Sequence, residues 1–164
     1  MRIRAAAVED IAQIMALERL PEFRTFVGRW SEDEHRSAMA DPAVRYFVAE
    51  SDSELAGFAI LRGVESENRS IEVKRIVVRS PGQGTGRRML RWLLDKAFLE
   101  YGAHRVWLDV FEENSRAQHV YASLGFQPEG LLREAIWRDG AFHSLVLMSV
   151  LDREYRARTP GLPD

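Results

Sequence analysis

The chain has 164 residues, of which 46% are hydrophobic and 29% charged, and its formal net charge is −2 at pH 7. This composition is typical of a single globular domain and argues against a disordered or fibrous chain. The near balance of charges disfavours nucleic acid as a ligand, because phosphate-backbone binding requires a basic surface. The sequence contains no cysteine, which excludes disulfides, thiolate zinc sites and acyl-cysteine intermediates.

Two further sequence features concern location. The longest purely apolar runs, such as Leu145–Met148, are far shorter than the ~20 residues of a membrane span. The opening residues 1–4 lack the apolar block of a signal peptide. We therefore expect a cytoplasmic protein without a membrane partner.

The histidines show no metal-ligand spacing, so we expect no metal; they are His35, His104, His119 and His143.

The chain opens with a strand and then turns helical. Ile3–Ala5 is predicted to be a strand, and Asp10 can begin a helix. Its apolar residues recur at helical spacing; they are Ile11, Ile14, Met15 and Ala16. Leu20–Trp30 is aromatic-rich but contains a proline and a glycine, which predicts a loop or broken helix. Ser31–Met39 begins with a capping-box pattern and is predicted to be helical.

The middle of the chain has the alternation of β-strands. Val44–Ala49, Leu55–Leu61 and Ile71–Val78 are separated by polar turns at Ser51–Ser53 and Glu65–Arg69. Three such strands predict an antiparallel meander. A glycine-rich loop follows, and the amphipathic stretch after it predicts a helix that Gly102 ends.

The last third of the chain contains one helix between strands. His104–Phe111 is predicted to be a strand, and the short helix after it begins at Asn114 or Ser115 and ends at Leu124-Gly125. A further strand begins at Phe126. The following segments, Leu131–Arg138 and Phe142–Leu151, flank Asp139-Gly140 and predict a hairpin with a type I′ turn. We expect residues 153–164 to be a frayed tail.

The loop Gly82–Gly86 lies between a predicted strand and a predicted helix. Glycines let a ligand approach the backbone, and the first N–H groups of a helix point at an anion. The sequence fits neither a Walker loop nor a dinucleotide fingerprint. Arg87 and Arg88 oppose the helix dipole, which is unfavourable unless an anion lies nearby. A tight turn with a solvated helix face is the alternative.

Two segments carry the motifs of one enzyme family. Ile76–Leu90 contains Gly84 and Gly86 at the centre of the pattern Arg/Gln-x-x-Gly-x-Gly/Ala, with Pro81 at its first position. Asn114–Phe126 matches Asn-x-x-Ala-x-x-x-Tyr-x-x-x-Gly-Phe at every fixed position. The chain thus resembles the GNAT superfamily of acyl-CoA-dependent N-acetyltransferases. The C-terminal part of the sequence is similar to the branch of the family that contains ribosomal-protein and small-molecule N-acetyltransferases.

The resemblance covers residues 1–152, expected to be a single domain. It implies an α/β (α+β) fold with a mixed, mostly antiparallel sheet, flanked by helices and splayed between strands 4 and 5. The implied enzyme transfers the acetyl group of acetyl-CoA directly to a primary amine through a ternary complex, without a metal. The acceptor would be a small-molecule amine or a protein N-terminus. A non-catalytic acyl-CoA sensor and a transferase for longer acyl groups are alternatives, and the sequence is compatible with a homodimer.

Two residues are the candidates for catalysis. The resemblance makes Tyr121 the general acid that protonates the CoA thiolate, and packing in a helical stripe is its alternative role. Glu72 lies among apolar residues of a strand and is the candidate general base, directly or through water. A surface ion pair is the competing interpretation, and Glu22, Glu112 and Glu113 are possible substitutes.

The resemblance also implies the ligand contacts. The residues expected at acetyl-CoA are Ile76, Val77, Val78, Gly82, Gln83, Gly84, Thr85, Gly86, Arg87, Arg88, Asn114, Ala117 and Tyr121. The strand backbone at 76–78 would bond the pantetheine and stabilise an oxyanion. Asn114 would bond the pantetheine arm, cap a helix, or do both. The aromatic candidates for an acceptor pocket are Phe23, Phe26, Trp30 and Trp137, with core packing as the alternative for each.

Overall fold

The structure is a computed structural model that describes residues 1–51 and 54–159. Within these residues the sheet has seven strands, which are β1 (Arg2–Ala5), β2 (Val44–Ser51), β3 (Glu54–Arg62), β4 (Ser70–Val78), β5 (Arg105–Phe111), β6 (Gln127–Arg138) and β7 (Ala141–Leu151). Their order across the sheet is β1-β2-β3-β4-β5-β7-β6. Only β4 and β5 pair in parallel; the other neighbours are antiparallel. The predicted mixed, mostly antiparallel sheet is confirmed.

Helices cover both faces of the sheet. They are α1 (Ile11–Glu18), α2 (Glu32–Ala40), α3 (Thr85–Asp95), α4 (Ser115–Ser123) and α5 (Asp152–Arg158). Side chains of α1 pack on one face with Phe58 and Ile60. Side chains of α3 and α5 pack on the other face with Ala59 and Leu61, because successive side chains of a strand alternate between faces. Among the described residues, no helix is long and apolar enough to cross a membrane.

The two strands at the centre of the sheet separate along their length. β4 and β5 are paired only from Ser70 with Arg105 to Glu72 with Trp107, and both strands continue beyond that point. Just after it, β4 has one extra residue, Lys74, where the register with β3 shifts. Such a bulge bends a strand and increases its twist. The predicted splay between strands 4 and 5 is confirmed.

The bulge also changes which side chains of β4 share a face. Before it, Ile71 and Val73 face the helices α3 and α5. After it, Ile76 is the residue on that face, and Val77 packs with α1 on the opposite face. Arg75 therefore points toward α1, where a strictly alternating strand would have placed it with Ile71 and Val73.

The hairpin of β6 and β7 has the predicted turn. Asp139 and Gly140 both have positive φ, 51° and 80°, as a type I′ turn requires. β6 forms the edge of the sheet and is exposed over most of its length. A second irregularity lies between Leu132 and Ile136, where Glu134 has a φ of 50°. A groove of about 940 Å³ runs past it, lined by Leu131–Ala135 and Ser144.

The end of the described chain differs from its prediction. Residues 153–158 belong to α5 and are not a frayed tail. Tyr155 holds the helix in place, because its buried ring stacks on Phe98 with 4.7 Å between centroids and its hydroxyl donates to Asp95. The rest of the predicted tail from residue 160, and Asp52 and Ser53 of a predicted turn, lie outside the described residues.

Candidate active site

The splay leaves part of the β4 backbone without a strand partner. Ile76, Val77 and Val78 pair with β3 on one side, but the ladder to β5 ends at Glu72. Backbone N–H and C=O groups that point toward β5 are therefore open to a ligand, and buried groups of this kind require partners. The predicted pantetheine-binding segment lies at this opening.

The glycine loop joins this strand to the start of α3. Gly84 is the N-cap residue of α3 and has a φ of 79°, and Gly82 has a φ of 92°. A Cβ on Gly84 would meet nothing within 4 Å, so the backbone conformation, and not a lack of space, requires this glycine. The first N–H groups of α3 have no intrahelical acceptor.

Positive charge surrounds the same loop. Arg87 and Arg88 lie exposed in the first turn of α3, which contains no acidic residue. A Cβ built on Gly82 would lie 2.5 Å from Nη2 of Arg116, so this guanidinium from the start of α4 covers the loop. Free amides, a helix N-terminus and three arginines form a site that fits a pyrophosphate.

Asn114 begins the second predicted motif. Its Oδ1 accepts a hydrogen bond from the Ala117 amide at 3.2 Å, which is the N-cap interaction expected from sequence. Among the described residues nothing bonds its Nδ2 group. The cap and a contact from Nδ2 to a pantetheine amide are therefore compatible.

Tyr121 lies on α4 and packs at the edge of the core against Phe126, with 6.0 Å between ring centroids. In the described part of the chain no group hydrogen-bonds its hydroxyl. Burial, and to a lesser degree the nearby Asp109, raises the pKa of Tyr121 to about 12. The phenol thus keeps its proton at neutral pH and has a free O–H to donate, as a general acid needs.

Glu72, the candidate base, lies beside two basic side chains. It lies where β4 and β5 are still paired, and its carboxylate is 3.6 Å from Nε of Arg62 and 3.5 Å from Nζ of Lys74. The geometry favours the ion-pair interpretation of this residue.

Three other carboxylates are alternative candidates for the general base. Glu113 contacts Nδ1 of His143 at 3.3 Å, and hydrogen bonds from its own backbone amide and from this histidine lower the pKa of Glu113. Glu22 and Glu112 are exposed.

The four aromatic candidates do not form one pocket. Phe26 meets Phe111, the last residue of β5, edge to face with 5.5 Å between centroids. Trp30 lies 4.5 Å from the guanidinium of Arg75. Phe23 packs against the core beside α1, and Trp137 is 63% exposed on the hairpin. Phe26 therefore approaches the end of β5, and Trp30 approaches the part of β4 beyond its pairing with β5.

Sequence reasoning missed a buried polar network beside this opening. Glu18, fully buried, accepts from Nη1 of Arg75 at 2.7 Å and from the Trp30 amide at 3.1 Å. Its Oε1 also lies 3.2 Å from Nε2 of His35, whose Nδ1 lies 3.1 Å from the Tyr46 hydroxyl. Burial lowers the pKa of Arg75 and raises that of Tyr46 to about 12. The one local sign of this network in the sequence is Arg75, an arginine within a strand of mostly apolar residues.

These features define an α/β enzyme that binds a phosphate-bearing acyl carrier between two splayed strands. The family model described as Acetyltransferase (GNAT) family matches residues 11–126, and the chain belongs to this family. It is an N-acetyltransferase that uses acetyl-CoA as its acyl donor. The predicted family, fold and type of enzyme are confirmed.

Known proteins of the family resemble the chain over most of its length. It is 32% identical over 126 residues to spermidine N(1)-acetyltransferase of Escherichia coli K12, covering 74% of this chain and 67% of the relative. It is 26% identical over 148 residues to a putative bS18-alanine N-acetyltransferase of Bacillus subtilis, covering 88% and 92%. The crystal structure of spermidine N-acetyltransferase from Vibrio cholerae with CoA and spermine superposes with a TM-score of 0.83 at 27% identity, over 94% of this chain and 96% of that one.

Proposed function

We propose that the protein transfers the acetyl group of acetyl-CoA directly to a primary amine while both substrates are bound. The observation that carries this proposal is the Tyr121 hydroxyl, which keeps its proton and has no partner among the described residues. The sequence has no cysteine to form an acyl-enzyme. Direct attack by the amine is the route that these residues support.

The step balances without a further reactant. The neutral amine attacks the acetyl carbonyl carbon, a C–N bond forms, and the C–S bond breaks. The amine nitrogen loses one proton to water or to a base, and Tyr121 gives its proton to the departing sulfur. Open N–H groups of β4 near Ile76 would hold the carbonyl oxygen as it becomes negative.

The acceptor must supply a neutral amine. An α-amino group has a pKa of ~7.7–8.0 and a lysine-type amine one of ~10.4, so the first loses its proton far more readily. The relatives' names include a small-molecule amine, spermidine, and an alanine of a ribosomal protein. We propose a small-molecule amine or a protein N-terminus as the acceptor class.

We also propose a homodimer formed through the β6–β7 hairpin. β6 is an edge strand, and large apolar side chains are exposed along the hairpin: Leu131, Leu132, Trp137 and Phe142. Exposed apolar surface on an unpaired strand favours association. Analytical ultracentrifugation should show a dimer of the wild-type protein, and Leu131→Lys should weaken this dimer. A wild-type protein that is monomeric at micromolar concentrations would contradict the proposed homodimer.

Initial-rate kinetics test the main proposal. Thiol release is measured with a panel of amines and N-terminal peptides at several fixed acetyl-CoA concentrations, after calorimetry has established acetyl-CoA binding. A ternary complex predicts double-reciprocal lines that intersect. Parallel lines would contradict direct transfer, and acetyl-CoA binding without thiol release from any acceptor would favour a sensor.

A further inference from the structure

The tip of the β6–β7 hairpin holds an arginine without an acidic partner. Nη1 of Arg138 donates to the Thr25 carbonyl at 2.6 Å, and its guanidinium lies 5.0 Å from the centroid of Phe111. No carboxylate among the described residues lies within ion-pair distance of it. The side chain is half-buried and held in one place, yet its Nη2 group has no acceptor in the described part of the chain.

A second guanidinium borders the same space. A Cβ built on Gly28 would lie 2.8 Å from Nη2 of Arg75 and 3.7 Å from Nη2 of Arg138. The two Nη2 groups therefore converge beside Gly28. Arg75 is held by its contacts with Glu18 and Trp30. Its guanidinium therefore has little freedom to move, and a side chain at position 28 would collide with it.

The charges around this space do not cancel. Glu18 matches the charge of Arg75, but the acidic groups near Arg138 pair elsewhere: Asp139 lies 3.5 Å from Arg24, and Glu113 contacts His143. Burial first, and then repulsion from Arg75, lower the pKa of Arg138, while the charge of Asp139 acts in the opposite direction without reversing the shift. Desolvation and like charge thus oppose the cation, and a bound anion would stabilise it.

His143 lies beside the same space and contacts the backbone of Arg138. Its Nε2 lies 3.2 Å from the carbonyl oxygen of Arg138 and its Nδ1 lies 3.3 Å from the Glu113 carboxylate. Both partners are hydrogen-bond acceptors, and a neutral imidazole ring can donate to only one of them at a time. The ring also packs against Phe111 with 5.4 Å between centroids.

The space borders the opening between the splayed strands. Phe111 ends β5, and Arg75 directly precedes Ile76 of β4. We infer that the acceptor is a small amine that also carries a carboxylate, which binds between the Nη2 groups of Arg75 and Arg138 beside Gly28. Two N–H donors of this kind match the oxygens of a carboxylate. A polyamine would meet like charge in the same place.

This inference rests on the proposed function, and matched substrate pairs test it. Amino acids and the amines formed by their decarboxylation, such as lysine with cadaverine and histidine with histamine, are compared with spermidine by thiol release. We expect kcat/KM to be about tenfold or more higher for the carboxylate-bearing members, as a charge-assisted hydrogen bond implies. Equal or better use of the decarboxylated amines or spermidine would overturn the inference and leave the proposed function intact.

Variants of Arg138 locate the effect. Arg138→Gln should raise KM for the amino acids by about tenfold with kcat little changed, and leave KM for the decarboxylated amines unaltered. Arg138→Lys should restore part of the preference. The matched control is Arg133→Gln, which removes an exposed positive charge from the same strand and should preserve the preference. A uniform loss with all amines in Arg138→Gln would indicate a structural role and contradict the inference.

A binding measurement separates this inference from the proposed function. Thermal shifts are recorded with N-acetyl amino acids and with the matching N-acetyl amines, in the presence of CoA. Stabilisation by the N-acetyl amino acids alone, if it is lost in Arg138→Gln, supports the anion site. This holds even when no amine releases thiol, although the absence of thiol release would itself reject the proposed function. Equal shifts with both products, or no shift with either, would overturn the anion site.

Discussion

Nη1 of Arg75 in β4 lies 2.7 Å from Oε2 of Glu18 at the end of α1, although the two residues are 57 positions apart in the chain. The same carboxylate accepts from the Trp30 amide and contacts His35. With Nε2–H of His35 donating to Glu18, Nδ1 can accept the Tyr46 hydroxyl, and every buried group has a partner. This network ties α1, α2 and the loop before α2 to the strand at the active site.

Replacing the central carboxylate should therefore be costly. Glu18→Gln leaves Arg75 buried without a countercharge, and we expect the free energy of unfolding to fall by about 3–5 kcal/mol. Urea unfolding followed by circular dichroism measures this. Glu22→Gln, which removes an exposed carboxylate four residues later, is the matched control. A loss no greater than that of the control would mean that the network does not stabilise the fold.

Tyr121→Phe tests the proton donor. The ring and its packing on Phe126 are kept, so calorimetry should give an unchanged affinity for acetyl-CoA. Loss of the donor should lower kcat by about 10²-fold. Because the pKa of Tyr121 is raised to about 12, the wild-type enzyme should not lose activity through this residue between pH 7 and pH 10. An unchanged kcat in the variant would remove Tyr121 from the acid role.

Glu72→Gln separates the two interpretations of that carboxylate. The ion pairs with Arg62 and Lys74 predict a small change in stability and an unaltered pH–rate profile. A general base would instead flatten the limb of the profile that rises with pH. The comparison is kcat/KM from pH 6 to pH 9.5 for both proteins, with Glu113→Gln assayed alongside because Glu113 lies nearer the end of β5.

Local signals predicted the elements that frame the site. The type I′ turn at Asp139-Gly140, the capping box of Ser31 with Glu34 and the Asn114 cap each depend on residues close in the chain. These interactions can be inferred from spacing alone. The fold and the glycine loop were accordingly predictable.

The buried charges were not predictable in the same way. The extra residue Lys74 reverses the alternation of β4 and turns Arg75 toward α1, and no local pattern indicates the bulge. The partners Glu18 and Arg138 lie on distant segments, so only the folded chain brings them near Arg75. Glu72 was proposed as a base because its neighbours along the strand are apolar, whereas in the folded chain its carboxylate lies near Arg62 and Lys74, as the competing ion-pair interpretation predicted.

Asp10 provides a pH-dependent contribution to stability. Its carboxylate accepts from Arg4 at 2.7 and 2.9 Å and from the Ala7 amide at 2.7 Å, and these hydrogen bonds lower its pKa below the ordinary 3.8. A carboxyl group with a lowered pKa stabilises the fold fully above its ordinary pKa, and the contribution is lost as the pH falls through the lower, folded-state value. Asp10→Asn should therefore reduce the free energy of unfolding by about 2 kcal/mol at pH 7.

The difference between wild type and Asp10→Asn should shrink as the pH falls below 4, because the wild-type carboxyl then becomes neutral as well. Urea midpoints at pH 7, 5 and 3 measure this convergence. Glu9→Gln, a change at the exposed neighbour, is the control and should follow the wild type at every pH. A deficit in Asp10→Asn that is equally large at pH 3 would show that the shape of the side chain, and not its charge, stabilises this turn.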